Sequence, residues 1–192
     1  MSVRVQDLLQ ALLAENQSAA AQLDEAELSA MVSVLIAARR VFVTGQGRSG
    51  LVMRMFAMRL MHLGLQSYVI GETATPPAQA GDVLMIASAS GETTVTCALA
   101  EKALGFGLTL MAFTTAPRSR LGKVTQHLVV IPAPAKGHET GAVDNTDVAS
   151  IQLMGALFEQ QVHVVCDALC LAIARLADIQ TARLWERHAN LE

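Results

Sequence analysis

At 192 residues, 52% of them hydrophobic and 16% charged, the chain holds enough apolar material for one well-buried core and too little length for two ordinary domains. Its 14 Lys plus Arg against 17 Asp plus Glu leave a net charge of -3 with no run of like charges, which excludes a nucleic-acid or membrane partner recognised through bulk charge. A small anion remains admissible, because helix N-termini and hydroxyls hold phosphate without a basic patch.

The opening MSVRVQDLLQALLAE lacks the basic head, apolar run and cleavage site of a secretory leader, so a cytoplasmic location is expected. Residues 3 to 38 read as two helices, the second opened by Asp24-Glu25 and carrying Leu28, Met31, Val32, Leu35 and Ile36 at helical spacing. Five short apolar runs follow: Val41 to Thr44, Ser67 to Ile70, Val83 to Ala87, Thr109 to Phe113 and Leu128 to Ile131. They mostly do not alternate, and segments long enough for a helix or short crossover separate them, the pattern of parallel strands covered on both faces. The expected fold class is therefore α/β, a doubly wound five-stranded parallel sheet flanked by helices, in the flavodoxin-like order 2-1-3-4-5. Within one domain spanning 1–192, residues 1–38 form the helical preface, 39–177 the α/β core and 178–192 a C-terminal helix or tail.

Pro132 to Thr146 is rich in Pro, Gly and small polar residues and reads as an exposed loop, with room for a lid or an interface and with His138-Glu139 solvated. A helix is expected from about Asp147 to Leu176. It is apolar on nearly all sides, so its second face is expected to pack on another subunit. Gln152, Glu159, Gln160, Gln161, His163 and Asp167 interrupt the apolar stretch, and no membrane span is expected. Cys97, Cys166 and Cys170 lack CxxC spacing and read as buried thiols. The histidines at 62, 127, 138, 163 and 188 show no ligand spacing, so neither a metal nor another cofactor is expected.

Two loops carry the chemistry. The first strand runs into Gly45-Gln-Gly47-Arg-Ser-Gly50, followed by a helical pattern from Leu51 to Leu63. This is formally GxGxxG in a strand-to-helix setting, the dinucleotide fingerprint. Against that reading, Glu72 comes late for a ribose contact, and a second loop of similar kind, Ser88-Ala-Ser90-Gly91-Glu92-Thr93, follows the third strand. In a 2-1-3-4-5 sheet strands 1 and 3 are neighbours, so both loops open onto one crevice at the carboxyl end. Ser49, Ser88, Ser90 and Thr93 offer hydroxyls there, and Gly91 and Glu92 offer backbone N–H groups. Such a site suits one compact dianion such as a phosphate monoester. The plainer alternative is that Ser90 only caps a helix, with Thr93 in its first turn.

GQGRSG followed by SASGET resembles the sugar isomerase (SIS) family, in which these two loops bind the phosphate of a phosphosugar. The stretches 57–64 (AMRLMHLG), 71–73 (GET), 150–160 (SIQLMGALFEQ) and 187–192 (RHANLE) are similar to the 6-phospho-3-hexuloisomerases in particular. The resemblance implies the SIS fold, a homotetramer, and a substrate-binding set of Gly47, Arg48, Ser49, Ser88, Ala89, Ser90, Gly91, Glu92 and Thr93. It also implies conversion of D-arabino-3-hexulose 6-phosphate to fructose 6-phosphate, as in formaldehyde fixation by the ribulose monophosphate route.

With its C6 oxygen phosphorylated, that 3-ketose closes no unstrained ring onto C3 and enters open-chain. The reaction then needs a base at C2, stabilisation of a cis-enediolate and a proton donor near the oxygens. Glu159 is the expected base, as the one acid beside the apolar stretch Met154 to Phe158. His62, in its own or a neighbouring subunit's site, is the expected shuttle between the oxygens, with His188 a weaker candidate; Arg48 would steady the phosphate or the enediolate. The competing readings are an isomerase of another phosphosugar such as arabinose 5-phosphate, a non-catalytic phosphosugar sensor, and the nicotinamide oxidoreductase already weighed.

Overall fold

A computed structural model describes residues 3–134 and 149–191. Two helices come first, α1 (Val5–Ala20) and α2 (Glu25–Ala37), the latter capped by the Asp24 carboxylate accepting from Ala26 N. The remainder alternates: β1 (Val41–Gly45), α3 (Gly47–Leu63), β2 (Ser67–Val69), β3 (Val83–Ala87), α4 (Thr94–Gly105), β4 (Thr109–Thr114), α5 (Arg120–Val124), β5 (His127–Val130), α6 (Ala156–Leu176) and α7 (Thr181–Glu186). The strands pair in parallel in the order β2-β1-β3-β4-β5, as their sequence pattern predicts, with Val43 opposite both Val69 and Met85.

Alternate strand residues feed two cores. Val41, Val43, Val83, Met85, Met111 and Phe113 face α2, α3 and α6, while Phe42, Leu84, Ile86, Leu110 and Ala112 face α4 and α5. At the amino end of the sheet, Asp82 is buried beneath Arg39 and Arg40, with Arg40 Nη2 at 2.8 Å. Burial pushes its carboxyl up, but the hydrogen bonds from Arg40 and Gln79 N and the two arginine charges outweigh that and hold it below its ordinary range. This fixes the end of the sheet opposite to the one where the helices begin.

Three expectations from the sequence need correction. The long helix begins at Ala156, not near residue 147. Met154 (φ 51°) and Gly155 (φ 78°) are both left-handed, so a short 3-10 turn at Leu153–Gly155 precedes α6 and a continuous α-helix cannot run through it. Next, α3 begins at Gly47, so Arg48, Ser49 and Gly50 belong to its first turn. Finally, Leu153–Leu176 is by length and composition long and apolar enough to cross a membrane, with a mean hydropathy of 1.4, because Gln and His interrupt an apolar run less than formal charges do. Its apolar side is nevertheless occupied: Leu157, Phe158, Val162, Val165, Leu169 and Ile173 are buried in the sheet-facing core. Most of the expected 132–147 loop, His138 and Glu139 included, lies outside the described residues.

The three cysteines are buried, and burial raises each thiol, that of Cys170 to about 12.

Candidate active site

At the carboxyl end of the sheet, Gln46, Gly47 and Ser49 from the start of α3, Ala87 to Ser90 and Thr93 from the β3–α4 loop, and Met154, Gly155, Phe158 and Glu159 from the start of α6 enclose a cavity of about 290 Å³. The two loops are drawn together by backbone contact. A Cβ on Gly50 would lie 2.5 Å from Gly45 O, and one on Gly45 would lie 3.0 Å from Ala87 O. Only chain without side chains fits between β1, β3 and the first turn of α3.

The second loop is pinned from β4. Ala89 O accepts from Thr114 Oγ1 (3.0 Å), Thr115 N (3.0 Å) and Thr115 Oγ1 (2.9 Å). Gly91 sits at φ 61° against Ser119, where a Cβ would overlap Oγ at 1.9 Å. Ser88 Oγ and Thr93 Oγ1 lie 3.4 Å apart at the cavity wall.

Three helix N-termini, those of α3, α4 and α6, converge on this space. None of the three is capped by a side chain, whereas α2 and α5 are. Their uncapped first turns, the positive ends of three macrodipoles and the four hydroxyls of Ser49, Ser88, Ser90 and Thr93 make a cradle for an anion.

Among the described residues that line the cavity, Glu159 is the one acid. It lies in the first turn of α6 and is only 5% exposed, and its Oε2 accepts from Arg48 Nε. The Arg48 side chain stays 64% exposed and also lines an adjoining shallow depression with Leu51, Val52, Met55, Gln160 and His163. A buried carboxylate and a mobile-length cation thus meet at the rim, beside the hydroxyl loops. A larger groove of about 450 Å³ between α2 and α6 is lined mainly by apolar groups, and its polar residues Glu25, Ser29, Ser33 and Gln161 offer no comparable convergence.

Of the residues singled out from the sequence, Gly47, Ser49, Ser88, Ala89, Ser90, Thr93 and Glu159 line the one cavity, with Arg48 at its edge. Gly91 and Glu92 do not line it. Gly91 N donates to Ser88 O (3.1 Å), Glu92 N to Ser90 Oγ (3.3 Å), and the Glu92 carboxylate accepts from Arg120 N (2.8 Å). Both shape the loop from behind. The N-cap of α4 is Thr93, not Ser90.

His62 lies elsewhere in its own chain, fourteen residues beyond Arg48 on α3 and hence roughly 20 Å along the helix. It is buried under the C-terminal segment: the ring of His188 stacks on it at 5.2 Å, Trp185 leans on His188, and Arg187 Nη1 donates to His62 O (3.1 Å). Burial, then the Arg59 and His188 charges, keep the His62 imidazole below its ordinary range and so neutral at neutral pH.

Residues 34–160 match the SIS domain model, about two thirds of the sequence and both loops included. The chain belongs to the SIS-domain family. Among its relatives in that family, a 3-hexulose-6-phosphate isomerase from Mycobacterium gastri is 42% identical over 90% of this chain and 84% of its own length. The protein of the same name from Bacillus subtilis is 34% identical over 94% and 95%. Among solved structures, a Methanococcus jannaschii protein whose structure was taken to infer a 3-hexulose-6-phosphate isomerase function superposes with a TM-score of 0.79. It is 26% identical, with 97% of this chain and 99% of that one covered.

Gln46, Ala87, Met154, Gly155 and Phe158 also line the cavity, and sequence reasoning missed them. Gln46 had a signal, its place between two glycines at a strand end; the others had none.

Proposed function

We propose that this protein is a 3-hexulose-6-phosphate isomerase, converting D-arabino-3-hexulose 6-phosphate to D-fructose 6-phosphate. The observation that carries the reading is the buried Glu159 carboxylate sharing one small cavity with two hydroxyl-bearing loops and three uncapped helix starts. The names of relatives 42% and 34% identical over at least nine tenths of the chain support it.

In this account the phosphate sits on Ser49, Ser88, Ser90 and Thr93 at the starts of α3 and α4, which directs the open-chain ketose toward α6. Glu159 removes the C2 proton. The negative charge passes to the C3 oxygen of a cis-enediolate, where Arg48 and the first-turn N–H groups of α6 stabilise it. Protonation at C3 gives the 2-ketose, so oxidation at C2 is offset by reduction at C3 and no external oxidant is consumed. The accompanying proton transfer between the two oxygens is not assigned to His62: within one chain it is too far along α3, and its ring is buried beneath His188 of its own C-terminal segment.

A homotetramer is part of the same proposal. Exposed Leu8, Leu9 and Leu13 on α1, Leu51, Met55 and Met58 on α3, and Val164 and Leu171 on α6 are apolar surface that association would cover. So are a cytoplasmic location, which three unpaired buried thiols suit, and a role in formaldehyde fixation by the ribulose monophosphate route.

A coupled assay tests the reading. A synthase forms the 3-hexulose phosphate from ribulose 5-phosphate and formaldehyde, and fructose 6-phosphate is followed through glucose 6-phosphate to NADPH. NADPH is expected only when this protein is present. Its absence would remove the isomerase assignment, and a rise in melting temperature with fructose 6-phosphate would then favour another phosphosugar or a sensor.

A further inference from the structure

The left-handed pair Met154–Gly155 sits at the mouth of the cavity and sets the angle at which α6, with Glu159 in its first turn, enters the site. Met154 has a side chain and a φ of 51°, a conformation that persists only where surrounding contacts hold it. Those contacts come from α1, on both sides of the pair. Before it, the Glu15 carboxylate accepts from Ser150 Oγ (2.9 Å) and Ile151 N (2.8 Å). After it, Asn16 Nδ2 donates to Gln160 Oε1 (2.6 Å), and Gln161 Nε2 donates to Asn16 Oδ1 and O, both at 2.8 Å. Gln161 is 1% exposed, so its amide is fixed in the interior.

Two adjacent residues of one helix therefore grip residues 150–151 and 160–161, and the kink with the acid lies between. Asn16 is itself oriented, since its Nδ2 also donates to Leu12 O (2.9 Å). Burial pushes the Glu15 carboxyl up, yet the bonds from Ile151 N, Ser150 and Gln152 prevail and leave it below its ordinary range, the mark of a carboxylate that works as an acceptor. Both residues lie outside the span 34–160 matched by the family model.

We infer that Glu15 and Asn16 are positioning residues for the isomerisation: they clamp the entry of α6 and so fix the Glu159 carboxylate against the substrate carbon. The inference rests on Glu159 being the base. Neither residue lines the cavity, so substrate binding through the two loops does not depend on them. A base displaced by about an ångström loses rate by as much as roughly 100-fold while binding survives.

Asn16→Ala and, as a milder change, Glu15→Gln are measured in the coupled assay beside the unmodified protein and Gln17→Ala, an exposed neighbour on the same helix. Rates are normalised to the folded fraction given by circular dichroism. The expected result is a fall in kcat of about 10- to 100-fold for Asn16→Ala and a smaller fall for Glu15→Gln. KM should stay within about twofold and Gln17→Ala should match the unmodified protein. Unchanged kcat in both variants, a rise in KM instead, or a loss accounted for by the unfolded fraction would overturn the clamp while leaving the isomerase reading intact. An inactive unmodified protein would overturn both.

Discussion

Replacing Glu159 by Gln should lower kcat by about 1,000-fold or more, while fructose 6-phosphate still binds within a few-fold of its original affinity. A positioned general base contributes roughly 10²–10⁴ in rate, and among the described residues no other acid lines the cavity to take over. The amide keeps the size of the carboxylate and an oxygen for Arg48 Nε, so the wall of the cavity is preserved. Removing a buried charge leaves Arg48 solvated, because its side chain is mostly exposed, and so creates no stranded ion. The phosphate cradle belongs to α3, α4 and the loops before them, and binding should follow those elements. Steady-state kinetics with calorimetric titration of fructose 6-phosphate checks this; a variant keeping a tenth of the activity would show that the base is another group.

A comparable loss, with the opposite signature, is expected for Gly50→Ala. The new methyl would meet Gly45 O at 2.5 Å and Gly45 C at 3.1 Å, and both are backbone atoms that cannot rotate away. The start of α3 has to separate from β1, which pulls Ser49 away from Ser88 and Ser90. Overpacking of this kind costs about 1–3 kcal/mol of stability. Affinity for fructose 6-phosphate should fall by about 100-fold or more, because the cradle depends on the two loops meeting. Gly105→Ala, where nothing lies within 4 Å of the added methyl, is the matched control and should leave both stability and affinity nearly unchanged. Calorimetric titration and thermal melting of the two variants decide it: a Gly50→Ala protein that binds normally would mean the loops do not form the phosphate site.

The sheet was legible because each strand is a compact apolar run, and burial on both faces removes the ambiguity that alternation would leave. The loop hydroxyls and Glu159 were legible for a related reason, since polar residues at strand ends and one acid in an apolar helix have few structural uses. The start of α6 was not. Leucine and methionine are good helix formers, so propensity runs straight through Leu153 and Met154; the break there comes from a left-handed residue held by contacts from α1, more than 130 residues away in sequence. His62 shows the converse. Nothing in the chain order says that the terminal Trp185 to His188 folds onto the end of α3 and buries that ring.

The measurement closest to the central claim is hydrogen exchange during turnover of fructose 6-phosphate in D2O, followed by proton NMR. In the reverse direction the same base removes the C3 proton to reach the enediolate and exchanges it with solvent. Loss of the C3 proton signal with the unmodified protein, and its retention with Glu159→Gln, is the predicted result. Loss of a C1 proton instead would identify an aldose–ketose isomerase, and an unchanged spectrum would mean that the cavity binds a phosphosugar without moving its protons.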